Sequence, residues 1–167
     1  MKKQPAIRKK SPALTPSQRK YPKVRTALGE PLQEELPTAD GLGRYRDFQR
    51  LDGCRGSIHW HPMVGAFETH GEIRNRWAKL GFEKSFLGYP VSDETDLISQ
   101  GEKIGRFSKF QHGQICWVDR IQKTIVYKEE VDGTSSIIDD GFKIPDWIKN
   151  IDPGGRDECG RISFKRD

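Results

Sequence analysis

The chain has 167 residues, 34% hydrophobic and 32% charged, which is material for one domain or two very small units around a modest core. Its net charge of +5 points to an anionic partner, yet nine of the 29 basic residues lie in the first 27 positions, which hold no acid. The remaining 140 residues carry 20 basic and 24 acidic side chains, so the basicity belongs to one end of the chain. No run approaches the roughly 18–20 apolar residues of a membrane span. The basic N-terminus also lacks the apolar segment of a secretory signal, so the residues themselves assign no localisation. Cys54, Cys116 and Cys159 are too sparse for a disulfide framework or a zinc knuckle.

Residues 1–25 scatter Pro5, Pro12, Pro16 and Pro22 among Ser, Gln and Lys, the composition of a disordered basic arm. Such an arm either meets an anionic partner such as nucleic acid or acts as a solvated spacer, and its removal is expected to leave stability unchanged. From Leu28 the chain repeats itself. "LGEPLQEE" returns as "LGYPVSDE", "GRYRDFQ" as "GRFSKFQ", and "GSIHW" as "GQICW", at offsets of 59, 62 and 57. Three blocks in one order mark a repeat of about sixty residues.

Within a unit, "GRYRDF" and "GSIHWH" alternate as half-buried strands, and Asp52-Gly53 suits the turn of a hairpin between them. Alternation puts Ile58 and Trp60 on the buried side and Ser57, His59 and His61 on the other. "GAFETHG" leads into "EIRNRWAKLG", where Ile73, Trp77 and Leu80 follow helical spacing and Gly81 can end a helix of about ten residues. In the second unit "VDRIQKTIVYKE" stands where the turn and helix belong, so that unit reads as degenerate. After Val131 the repeat breaks. "GFKIPDWI" reads as a strand or capping segment, with Trp147 and Ile148 over the open face of the second unit, and "DPGGRDECGR" reads as a loop.

The matching residues Gly56, Ile58, Trp60, Gly65, Ala66, Gly71, Ile73, Trp77, Leu87, Gly88, Pro90, Asp93 and Glu94 make the chain resemble the LGFP repeat family. The resemblance covers roughly residues 24–130. It implies tandem small β-hairpin/helix units, an α+β fold with several repeats packed around a pseudo-symmetry axis. It further implies a module that holds its protein on bacterial cell-wall polysaccharide, and hence an extracellular or envelope location. The expected organisation is an arm at 1–25, a repeat domain at 26–130 divided near residue 85, and a C-terminal extension at 131–167.

No catalytic set assembles from the residue pattern. His59, His61 and His70 have no carboxylate at a metal-site spacing, and Ser57 beside His59 lacks a nucleophile elbow. Asp93 and Glu94 recur as Glu34 and Glu35, as bracing residues do. No enzyme activity, metal or cofactor is expected. Trp60, Trp77 and Trp117 sit at core positions. The candidate ligand-binding residues are Tyr45, His59, His61, Phe67 and Tyr89, near turns or on outward faces, where rings can stack on sugars. Arg44 and Arg106 recur just before the strand aromatics and suit either a ligand's hydroxyls and carboxylates or the repeated acids. The competing reading is a nucleic-acid- or protein-interaction protein acting through the arm.

Overall fold

Thr15-Pro-Ser-Gln18 is a capping box, and it starts a helix inside the segment whose composition suggests disorder. The computed structural model describes residues 13–99, 101–138, 141, 143–149, 151–152 and 163–164. In it α1 (Pro16–Leu28) opens with the Thr15 hydroxyl accepting from the Gln18 backbone N–H, while the Gln18 side chain accepts from the Thr15 N–H. Pro16 takes the first helical position, where its missing N–H costs nothing. Tyr21, Val24 and Leu28 pack on Phe48 and Ile58, with the Tyr21 and Phe48 rings stacked at 5.0 Å. The expected disorder of residues 1–25 is therefore corrected from Pro16 onward; the first twelve residues lie outside the described ones. A helix whose apolar stripe is this narrow is masked by its lysines and arginines.

The first sheet holds β1 (Glu30–Pro31), β2 (Leu36–Pro37), β3 (Arg44–Gln49), β4 (Arg55–His61) and β5 (Gly65–His70). Its order is β1-β3-β4-β5, with β2 also on β3. "GAFETH" is thus a third long strand and not a turn. Then α2 (Gly71–Leu80) ends at Gly81 in the left-handed conformation, and a 3₁₀ turn covers Phe82–Lys84. The second sheet is an antiparallel meander of β6 (Thr95–Ser99), β7 (Glu102–Phe110), β8 (Gly113–Val118), β9 (Lys123–Glu129) and β10 (Ser135–Ile137). "VDRIQKTIVYKE" supplies its β8–β9 turn and β9. The second unit is not degenerate at the level of its sheet, because Ile125 and Tyr127 enter one core cluster and Val126 the other, from the two faces of a strand.

Both Leu-Gly-x-Pro turns do the same work. Leu28 and Leu87 are fully buried. Pro31 pairs with Phe48, and Pro90 bridges to Phe110. Between them Gly29 and Gly88 hold φ of +77° and +68°, and a Cβ would strike the Gln49 carbonyl at one and the Gln111 side chain at the other. The helix before each turn covers the sheet after it: α1 lies on the first sheet, and Ile73 and Trp77 of α2 join Leu87, Phe110, Ile115 and Val126 of the second. The structural unit is therefore helix, turn, sheet, out of phase with the strand-to-turn unit suggested by the blocks. Because α2 also packs on β4 and β5, both faces of β4 are buried.

The far side of the second sheet is closed by Ile148 of α3 (Asp146–Lys149), fully buried among Leu97, Phe107, Cys116, Val118, Ile125 and Tyr127. Trp147 stays 36% exposed beneath the Arg120 guanidinium. Beyond it β11 (Ile151–Asp152) pairs with β12 (Ser163–Phe164). Apart from Asp152, the loop expected at 152–161 lies outside the described residues, as does Cys159; Cys54 and Cys116 are free thiols. Burial pushes the Cys116 thiol up to about 12.

The units are tied by charge. His70, at the start of α2, sets its ring between Glu68 at 2.9 Å and Glu94 at 3.2 Å, and Arg106 closes on Glu94 at 2.6 Å. Burial alone would lower the His70 pKa, but the Glu68 hydrogen bond and the Glu94 charge raise it above its usual 6.5. A raised pKa means His70 stabilises the fold below pH 6.5, and that contribution is lost as pH rises through the folded-state value. We expect denaturant titrations to show stability falling as pH rises above 6.5, and His70→Gln to flatten that slope; an unchanged slope in the variant would remove His70 as its source. Deleting residues 1–25 takes away the Tyr21 and Val24 contacts. It should cost at least about 3 kcal/mol, or about 10 °C in Tm. A truncated protein melting within about 2 °C of the full chain would show that α1 adds no stability.

Candidate functional site

Strand register puts Tyr45 opposite His59 and His59 opposite Phe67, so three residues far apart in the chain form one row across β3, β4 and β5. The Tyr45 and His59 rings stack at 5.5 Å, and Phe82 stacks on His59 from the other side of the joint at 5.8 Å. Trp77 meets both edge-on, at 4.6 Å from His59 and 5.2 Å from Phe82. The Tyr45, His59 and Phe82 rings border a cleft of 250 Å³ between the first sheet and the α2–3₁₀ segment, to which Asp47, Arg74 and Glu83 add charge.

The charged groups are held in place. Arg74 is 7% exposed, donates from Nη2 to Asp47 at 2.9 Å and from Nε to the Ser57 hydroxyl, and lies 5.4 Å from the Phe82 ring centre. Ser57 in turn donates to Asp47. Glu83 accepts the Ala39 N–H at 2.8 Å, pinning the far rim. His59 is 4% exposed, and burial, assisted by the Arg74 charge and opposed by Asp47, pushes its pKa down to about 3. Its imidazole is neutral at any physiological pH, and its buried Nδ1 has no hydrogen-bond partner among the described residues.

Of the residues singled out from the sequence, Tyr45 and His59 line this cleft, and Phe67 flanks His59 with the Lys20 ammonium 5.5 Å over its ring. His59 is not on an outward face, because α2 covers that side of β4. His61 packs on Tyr89 at 4.7 Å, away from the other two histidines, and accepts the Met63 N–H at Nδ1. Tyr89 is also not outward. It is 4% exposed, its hydroxyl shared by Thr38 and Asp40 of the preceding unit, and burial with the nearby Asp40 carboxylate raises its phenol pKa. Arg44 and Arg106 choose the repeated acids: Arg44 pairs with Glu35 at 2.8 Å, and Arg106 with Glu94 and Asp96.

Sequence reasoning missed Asp47, Arg74, Phe82 and Glu83. Arg74 sits next to the apolar stripe of α2, and only the packing of that helix on two sheets buries it. Among the described residues no three His, Cys, Asp or Glu side chains gather as metal ligands, and no helix is long and apolar enough to cross a membrane.

The repeat seen in the fold is also a family signature. A family model for the LGFP repeat matches residues 28–85 and 87–130. No curated protein matches the chain. The first match ends just before Leu87 and the second begins there, so each covers one Leu-Gly-x-Pro turn with the long strands that follow it, the second stopping short of β10, and together they span most of the chain. The chain belongs to the LGFP repeat family and carries two of its units in tandem.

Proposed function

We propose that the protein is a non-catalytic module that holds on to bacterial envelope polysaccharide. The observation that carries the reading is the ring-walled, charge-lined cleft on a repeat fold of this family. Aromatic faces stack on the C–H faces of sugars, and fixed polar groups hold hydroxyls. The groups from which an enzyme would build acid–base or nucleophilic chemistry are already engaged. Ser57 is fully buried and locked between Asp47 and Arg74. His70 is clamped by Glu68 and Glu94, and Glu94 by Arg106.

The arm-centred alternative is weakened by where its charges go. Within α1, Lys20 pairs with Asp93, Arg25 with Glu30, and Arg19 donates to the Leu14 carbonyl. Part of the basic charge therefore serves the domain's own carboxylates. Pull-down of the full chain on purified bacterial wall fractions should retain binding when salt rises from about 50 mM to about 500 mM. A charge-only contact instead loses affinity steeply over such a range. Loss of wall binding in high salt, or with removal of residues 1–12 alone, would overturn the polysaccharide reading in favour of charge attraction.

A further inference from the structure

The two units differ on one face. By the repeat offsets, Tyr45, Asp47, Ser57 and His59 of the first unit correspond to Phe107, Lys109, Gln114 and Cys116 of the second. There Phe107 and Cys116 lie in a closed apolar cluster sealed by Ile148. The fold itself thus needs no polar cleft on this face. In the first unit the same face carries a buried arginine, an aspartate, a neutral imidazole with an unpartnered nitrogen, and open volume.

Phe82 is a second departure. It holds φ of +53°, a left-handed backbone unusual for a bulky side chain. Packing holds the ring in that conformation against His59, Trp77 and the cleft. Strain of this kind clusters where a ligand must be met by a preset surface.

The lining selects the ligand's charge. Asp47 and Glu83 are anionic, and the one cation, Arg74, is already consumed by Asp47 and Ser57. An anionic ligand meets Glu83 with no free counter-charge. A cationic one meets Arg74, which already occupies the Phe82 face. A volume of 250 Å³ lies just under the usual range for small-molecule sites, about 300–1,000 Å³, and suits one ring-sized polar group.

We propose that this cleft is a subsite for a single uncharged sugar ring, packed against Tyr45 with hydroxyls on Glu83 and the His59 imidazole, and that it rejects acidic sugars. The assignment rests on the polysaccharide reading above and specifies its site.

The test uses the full chain, isotope-labelled for amide NMR, titrated with the neutral and the acidic fractions of a partial acid hydrolysate of purified wall polysaccharide. The neutral fraction should shift amides around Tyr45, His59, Arg74 and Phe82 saturably, while the acidic fraction leaves them in place. Tyr45→Ala and Glu83→Gln, each checked to keep the remaining amide spectrum, should weaken binding at least tenfold. The inference is overturned by a neutral fraction that leaves the cleft amides unmoved, by equal response to both fractions, or by variants that bind as the parent does. Wall pull-down with the same variants separates the two claims. Wall binding without cleft shifts sinks the cleft and spares the polysaccharide reading. Cleft shifts without wall binding do the reverse.

Discussion

At Gly29 and Gly88 the chain adopts φ of +77° and +68° against the Gln49 backbone and the Gln111 side chain, and both units are organised around that approach. The leucine before each glycine fills the core, and the proline two residues after it faces the Phe at the end of the first long strand. A few residues on, Glu35 accepts the Ser17 N–H near the start of α1 and pairs with Arg44; Glu94 accepts the His70 N–H at the start of α2 and pairs with Arg106. A carboxylate taken out of water costs several kcal/mol unless its lone pairs are filled. Each of these acids fills them with a helix N-terminal amide and an arginine from the neighbouring strand. Turn, helix and sheet are therefore fixed relative to one another by one short segment, and everything at the joint between units inherits that geometry.

The joint is where the site lies. α2 belongs to the core of the second sheet through Ile73 and Trp77, yet it also closes the back of β4. A helix serving two sheets cannot be apolar on one side and polar on the other. Arg74 resolves the conflict by bringing a buried charge with matched partners, Asp47 and Ser57, on the sheet it faces. A buried pair of this kind adds little to stability compared with apolar packing, and its effect is to fix one arrangement of the groups around it.

How much of this was legible in the sequence follows from which contacts are local. The block repeat was visible because turns and strands recur in order, and the ten residues of α2 because Ile73, Trp77 and Leu80 share a helix face. The Thr15–Gln18 capping box was also written in the chain, but four prolines and nine basic residues around it outweighed two capping side chains. β9 was hidden because its register partner β8 gives it meaning, and Ile125, Val126 and Tyr127, buried on both faces, leave no alternation to read. The outward placement of His59 and Tyr89 failed because both are covered from a distance in the chain: strand alternation tells two faces apart but cannot say that α2 covers the His59 face, and Tyr89 is buried by Thr38 and Asp40 of the preceding unit. Half of the cleft was unreadable on the same ground, since Arg74, Phe82 and Glu83 meet Tyr45 only through the packing of α2.

That the second unit seals the corresponding face with Ile148 has a consequence for strength of attachment. On the proposed reading each chain offers one such subsite among its described residues, and a single sugar ring in a small cleft gains only modest energy, about −4 kcal/mol for millimolar affinity. The rings already stacked on one another, and the strained Phe82 backbone, mean that little ordering is left to do on binding, which favours what affinity there is. Firm anchoring then has to come from the partner. A polymer presents the same ring many times, so a chain that lets go of one residue finds the next at high local concentration. A weak, preset, charge-selective subsite is suited to a repetitive neutral polymer and poorly suited to a scarce free sugar.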